Sequence, residues 1–204
     1  MAVISRLYDT YDMAQAAMSK LTAAGLRADD ISIVSKDGHD RFQNRTGDRI
    51  DRDRDGVDDR AEGAGTGASV GAAVGGTAGL LAGLGLLAIP GIGPVVAAGW
   101  LASTALGAVV GGASGGIIGA LTQAGVPETD AHLYAEGLRR GGTLLTVRVP
   151  DSDQARIEGL LSDAVDLNRR GQDYRDSGWN RFDETASGMT AEELQRERER
   201  YLRR

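Results

Sequence analysis

Gly142-Thr-Leu-Leu-Thr-Val-Arg-Val-Pro150 contains the clearest predicted strand of this chain. Its centre, Thr143–Val149, consists mostly of aliphatic and β-branched residues, which favour strands. Glycine on one side and proline on the other limit its length. We therefore expect Thr143–Val149 to be a buried strand, and the neighbouring segments can be placed around it.

The segments on either side of this strand predict helices. Glu128–Arg140 follows Pro127, and Gly141 stands at its end, which is the usual arrangement of proline and glycine around a helix. After Pro150, apolar residues recur at helical spacing as far as Ala164. A short last strand is expected at Val165–Leu167. The order of elements from residue 127 is therefore α-β-α-β.

The N-terminal arm predicts a strand, a helix and a second strand. Ala2–Tyr8 is the first strand candidate, and Asp9 or Thr10 can cap the helix that follows. The apolar positions of that helix are Ala14, Ala17, Met18 and Leu21. Gly25 ends the helix, and Ile31–Ser35 is the second strand.

Together the two arms predict an α+β fold with the ferredoxin-like, split βαβ order of elements. Residues 1–36 and 127–168 are the two halves of this domain. Residues 37–62 form an Asp/Arg-rich linker, residues 63–126 form a glycine-rich insert, and residues 169–204 form a charged tail. The strand Thr143–Val149 is expected beside Ala2–Tyr8.

The insert carries no charged residue between Glu62 and Glu128, and it holds 19 of the 30 glycines. Glycine recurs at every fourth position in two series, and residues four apart share a helix face. The two series contain Gly67, Gly71, Gly75, Gly79, Gly83, and then Gly99, Gly107, Gly111, Gly115, Gly119. Pro90-Gly-Ile-Gly-Pro94 separates them. The pattern predicts a glycine-zipper hairpin of two helices.

Such a hairpin predicts self-association or membrane insertion. Each glycine inside a helix costs roughly 1 kcal/mol relative to alanine, so close packing must offset the loss. Thr66–Ala88 and Val95–Leu121 are uncharged and long enough to span a bilayer. Because no signal peptide is visible, we expect an inner-membrane protein with both arms in the cytoplasm. The alternative is a cytoplasmic protein that associates through the hairpin.

A possible calcium loop precedes the insert. Residues 51–62 match the pattern D-x-D-x-D-G-x5-E, which supplies oxygen ligands to calcium. The candidate ligands are Asp51, Asp53, Asp55, Val57, Asp59 and Glu62. Arginines at positions 52, 54 and 60 oppose a cation, and a solvated linker is the competing interpretation.

Composition argues against several other classes of function. The absence of cysteine excludes thiol catalysis and thiolate metal sites, and two histidines are too few for a multi-histidine centre. A net charge of −6 argues against binding to nucleic acid backbones. We predict no catalytic residues, no cofactor apart from possible calcium, and no small-molecule substrate.

The tail combines isolated aromatic residues with a charged helix. Tyr174, Trp179 and Phe182 stand among charges, and they dock on the protein's own core, dock on a neighbouring molecule, or belong to a floppy tail. Thr190-Ala-Glu-Glu193 predicts a capping box at the start of a helix that runs to Leu202.

Three segments resemble the bacterial general stress protein or low-temperature-induced protein family: Ala28–Ser35, Pro90–Pro94 and Gly141–Arg148. The resemblance covers roughly residues 1–168 and implies a stress-associated protein without catalytic residues. We therefore expect a non-enzymatic stress-response protein that self-assembles or anchors to the membrane through its hairpin. The alternatives are a soluble structural protein that forms rings or filaments, and a calcium-responsive regulator.

Overall fold

Antiparallel strands form one sheet in the computed structural model, which describes residues 1–36, 85–102, 104 and 116–202. The strands are β1 (Ala2–Tyr8), β2 (Ile31–Ser35), β3 (Gly85–Ile89), β4 (Gly93–Ala98) and β5 (Thr143–Val149). Their order across the sheet is β1-β5-β2-β4-β3. The predicted α+β class is therefore confirmed.

The helices follow the strands in sequence. They are α1 (Tyr11–Ala23), α2 (Gly116–Gln123), α3 (Glu128–Arg139), α4 (Gln154–Leu160), α5 (Leu167–Asp176) and α6 (Ala191–Leu202), with short 3-10 turns at Ala28–Asp30 and Asp151–Asp153. Thr10 is the N-cap of α1, and its Oγ1 accepts a hydrogen bond from the Met13 N–H at 3.3 Å. This bond satisfies one of the free N–H groups of the first turn.

Strand β5 lies beside β1, as the sequence predicts, and its other neighbour is β2. Its partners run from Ala2↔Val149 to Tyr8↔Thr143 on one side and from Ile31↔Val147 to Ser35↔Thr143 on the other. All residues of β5 except Arg148 are buried. A central strand that is covered on both faces explains why its sequence consists mostly of aliphatic and β-branched residues.

Helices cover both faces of the sheet. On one face, α1 and α4 pack against Ile33, Leu145 and Val147. On the other face, α2 and α3 pack against Leu7 and Leu144. Because successive side chains of a strand point to opposite faces, neighbouring residues of β5 enter different cores.

Residues 85–98 form a β-hairpin, so the prediction of helices through 85–88 and 95–98 is wrong. The reversal at residues 90–92 occurs where Pro90 and Gly91 predict it, but it joins β3 to β4. Strand β4 extends the sheet by pairing with β2, with Val96 opposite Ser35. β-branched residues such as Val95 and Val96 pack well on a sheet, and this pairing overrides the fourfold glycine spacing.

The predicted strand at Val165–Leu167 is not formed. Asp166 instead caps α5, because its Oδ1 accepts from the N–H groups of Asn168 (2.9 Å) and Arg169 (3.2 Å). The contact of this segment with the sheet is the hydrogen bond from the Val165 N–H to the Leu7 carbonyl, at 2.9 Å.

The tail packs on the domain instead of hanging free. Tyr174 and Phe182 are buried, and Phe182 belongs to the same core as Ile89 and Ile92. The predicted capping box of α6 is present: the Thr190 N–H donates to Glu193 Oε2 at 2.8 Å. For Tyr174 and Phe182, docking on the protein's own core is therefore the correct interpretation.

Candidate functional site

Two of the predicted ridge glycines lie in the described part of the chain. Gly119 is within α2, whereas Gly99 follows β4 with a φ of +89° and so does not continue a helical ridge. A Cβ atom at Gly99 would collide with the Ile31 carbonyl oxygen and lie 2.7 Å from Ser32 Cα. Glycine at this position therefore allows the chain to pass close over β2.

The other predicted site residues lie outside the described residues. They are the ridge residues Gly67, Gly71, Gly75, Gly79, Gly83, Gly107, Gly111 and Gly115, and the calcium candidates Asp51, Asp53, Asp55, Val57, Asp59 and Glu62. Among the residues that the structure does describe, no cluster of histidine and acidic side chains could hold a metal ion, and no helix is long and apolar enough to cross a membrane.

A cavity of about 410 Å³ lies between the start of α3 and the turn that follows α5. Its walls include Glu128, His132, Leu133, Arg175, Trp179 and Arg181. The sequence alone did not indicate this site, because its two walls are about 40 residues apart in the chain. Only the docking of the tail on α3 brings them together.

Arg181 joins the two walls of the cavity. Its Nε donates to His132 Nε2 at 3.0 Å, and its Nη2 lies 3.0 Å from Glu128 Oε1. A nitrogen that accepts a hydrogen bond carries no proton, so a neutral His132 holds its proton on Nδ1. Leu133 and the indole of Trp179 supply the apolar part of the wall, and Trp179 packs edge-on against Tyr174 with ring centroids 5.7 Å apart.

A buried charge cluster holds the tail on α3 behind this cavity. Glu136 is fully buried, and its carboxylate accepts two hydrogen bonds from Arg139 (2.9 and 2.8 Å) and one from Arg140 (2.6 Å). Arg140 also donates to Glu197 of α6 at 2.9 Å, and its guanidinium lies 4.5 Å from the ring centre of Tyr174. The side chain of Arg140, the C-cap residue of α3, therefore contacts both helices of the tail.

A smaller cavity, of about 260 Å³, lies between the start of α1 and the start of α5. Asp9, Asp163, Asp166 and Asp173 contribute to its walls together with Arg169 and Arg170. The charges are largely internally compensated: Arg170 donates to Asp9 at 2.8 Å, and Lys20 lies 2.7 Å from Asp163. This arrangement is typical of a packed, ion-paired surface.

Comparison with known proteins found no matching family model, no matching curated protein and no matching solved structure.

Proposed function

We propose that this chain is a non-enzymatic stress-response protein that associates with itself or with a membrane through its uncharged, glycine-rich insert. The stress role rests on the family resemblance of residues 28–35, 90–94 and 141–148. The association role rests on the composition of the insert and on the surface of the folded domain.

One observation carries the association proposal. In the described part of the chain, Met1 and Met13 are the exposed large hydrophobic side chains, with 77% and 41% of their surface accessible. The two apolar cores are covered by helices. A surface without a large apolar patch offers little driving force for association. The uncharged residues of the insert are therefore the best source of such a force.

The glycine-rich residues 63–83 and 107–115 carry the fourfold spacing and lie outside the described residues. We infer that these residues supply the small-residue surface on which copies of the chain, or its own helices, pack closely. The finer fold assignment, a ferredoxin-like split βαβ unit, is part of this proposal. It is supported by the order β1-β5-β2 and by the Val165 hydrogen bond to β1.

The test is to fractionate cells that express the full chain or its variants. Carbonate-washed membranes are compared with the supernatant, and the native mass in each is measured. Gly75→Leu combined with Gly111→Leu places bulk on both glycine series. Ala73→Leu combined with Val109→Leu is the matched control, since these positions lie two residues away and face elsewhere if the segment is helical.

We expect the glycine variant to lose assembly mass or membrane retention, and the control variant to keep both. Retention in carbonate-washed membranes identifies lipid as the partner, whereas a large native mass in the supernatant identifies self-assembly. A full chain that is monomeric in the supernatant would contradict the proposal.

A further inference from the structure

Two arginines and one glutamate line the cavity between α3 and the tail, so the positive charges of its wall outnumber the negative ones. Glu128 is the acidic residue in its wall, and Arg181 is paired with it. Arg175 also lines the cavity, and its guanidinium makes no ion pair or hydrogen bond with any residue that the structure describes. Arginine remains charged at all physiological pH values, so the cavity keeps an uncompensated cation.

The start of α3 leaves the N–H groups of Glu128 and Thr129 without a capping side chain, and its first turn also carries the acids Glu128 and Asp130. Pro127 is the N-cap, and it has no side chain that can accept a hydrogen bond from the first turn. Glu128 and Thr129, the first residues of the helix, line the cavity. Free N–H groups and the helix dipole at such an end favour a bound anion.

Two buried nitrogens in the wall lack hydrogen-bond partners. They are His132 Nδ1 and Trp179 Nε1, neither of which has a partner in the described part of the protein. Nδ1 carries the proton of the neutral His132 ring because Nε2 accepts from Arg181, and the indole nitrogen is always a donor. The side chain of His132 is nine-tenths buried. Both atoms are buried, and buried donors of this kind are normally satisfied.

We propose that this cavity binds a small organic anion, with a carboxylate or phosphate group beside Arg175 and the start of α3. The apolar body of the ligand lies against Trp179 and Leu133. A volume of about 410 Å³ accommodates a ligand of the size of a substituted aromatic acid. This site is independent of the proposed association through the insert, so either proposal can fail alone.

The fluorescence of Trp179 reports binding directly. The chain has two tryptophans, so Trp100→Phe leaves Trp179 as the single reporter. Benzoate serves as the probe for an anion with an apolar body, inorganic phosphate for the anion alone, and benzamide for the apolar body without charge. The far-ultraviolet circular dichroism of each variant establishes that it is folded.

We expect saturable quenching by benzoate, with at least tenfold weaker binding of benzamide. Arg175→Gln weakens benzoate binding about tenfold, as expected for the loss of one charge-assisted hydrogen bond. Arg169→Gln is the matched control, because Arg169 is an exposed arginine of the same helix outside this cavity, and it leaves the affinity unchanged. Saturable binding of phosphate as well indicates that the charged group dominates recognition.

Three results overturn the proposal. The first is no saturable signal with either benzoate or phosphate. The second is equal binding of benzoate and benzamide, which shows that charge plays no part. The third is equal weakening by Arg175→Gln and Arg169→Gln, which shows general attraction to a basic surface.

Discussion

Ser35 Oγ and Thr143 Oγ1 lie 2.7 Å apart in a buried hydrogen bond, although 108 residues separate them in sequence. Ser35 ends β2, the last strand of the N-terminal arm, and Thr143 begins β5 in the C-terminal arm. Ser5 and Thr146 form a second such pair at 3.2 Å. The two charged arms therefore share one sheet, which β3 and β4 of the intervening segment extend beyond β2.

The buried carboxylate of Glu136 should be the most sensitive charge in the domain. Glu136→Gln leaves Arg139 and Arg140 without their shared counter-ion, and we expect a loss of about 3 kcal/mol in the free energy of unfolding. Urea unfolding measures this loss. Glu158→Gln is the control, because this carboxylate is 41% exposed and 3.9 Å from Arg6, and it should cost less than about 1 kcal/mol. Equal losses would show that burial of Glu136 has no special role.

Two glycines in helices should respond in opposite directions to alanine. A Cβ atom at Gly137 of α3 would lie 2.5 Å from Leu7 Cδ2, and Leu7 is itself buried, so Gly137→Ala should cost about 1 kcal/mol. At Gly159 of α4 a Cβ atom meets nothing within 4 Å, so Gly159→Ala should stabilise by about 0.5–1 kcal/mol. Thermal unfolding of both variants tests this. Stabilisation by Gly137→Ala would contradict the close packing of α3 on β1.

Two buried tyrosines differ in their hydrogen bonding. Tyr134 Oη donates to the Ser5 carbonyl at 2.7 Å, whereas Tyr8 Oη has no partner among the described residues. Tyr134→Phe should therefore cost about 1 kcal/mol at neutral pH, and Tyr8→Phe should be nearly neutral. Urea unfolding of both variants provides the comparison. A greater loss for Tyr8→Phe would contradict the hydrogen-bond assignment.

Ionisation of Tyr134 should make the stability of the folded protein depend on pH in the alkaline range. Burial raises the pKa of Tyr134 to about 12, above its ordinary value of 10. Between these values the folded state keeps a proton that the unfolded state has lost, so stability falls as the pH rises through this range. The cost of Tyr134→Phe should consequently shrink above pH 10. A difference from the parent chain that stays constant from pH 8 to about 12 would contradict the raised pKa.

Phe182 should anchor the connection between α5 and α6. Its ring is buried against the turn of the β3–β4 hairpin, where a Cβ atom on Gly91 would lie 2.8 Å from Phe182 Cζ. Phe182→Ala should cost about 3 kcal/mol and make the segment around residue 182 sensitive to protease. Limited proteolysis followed by mass spectrometry locates the cuts. The exposed neighbour Glu184→Ala should change neither property.

Local sequence signals predict the elements of the two arms and their order, except for the strand expected at Val165–Leu167, which is not formed. The helical spacing of Ala14, Met18 and Leu21 identifies α1, and the glycine and proline around Thr143–Val149 identify β5. The β3–β4 hairpin was not predicted because its apolar residues also fit a helix. Its strand conformation depends on the pairing of Val96 with Ser35, a contact that no local pattern encodes.

The sequence did not predict the candidate cavity, for a related reason. His132 is an isolated histidine and Trp179 an isolated aromatic residue, and neither belongs to a periodic pattern. They share a cavity because Arg140 and Glu136 hold the tail on α3. The capping box of α6, in contrast, depends on residues three positions apart and was predicted correctly.

Hydrogen exchange on a shortened chain tests most directly whether the two arms are one folded unit. Residues 37–84 are replaced by a Gly/Ser linker of about 15 residues, because β2 and β3 both run antiparallel to β4 and so need a crossover connection of a dozen or more residues. Residues 85–98 are kept because they form β3 and β4. We predict that the amides of Ala2–Tyr8 and Thr143–Val149 stay equally protected and lose protection in one cooperative transition. Free exchange in Ala2–Tyr8 while Thr143–Val149 remains protected would show that the arms fold separately and would contradict the account.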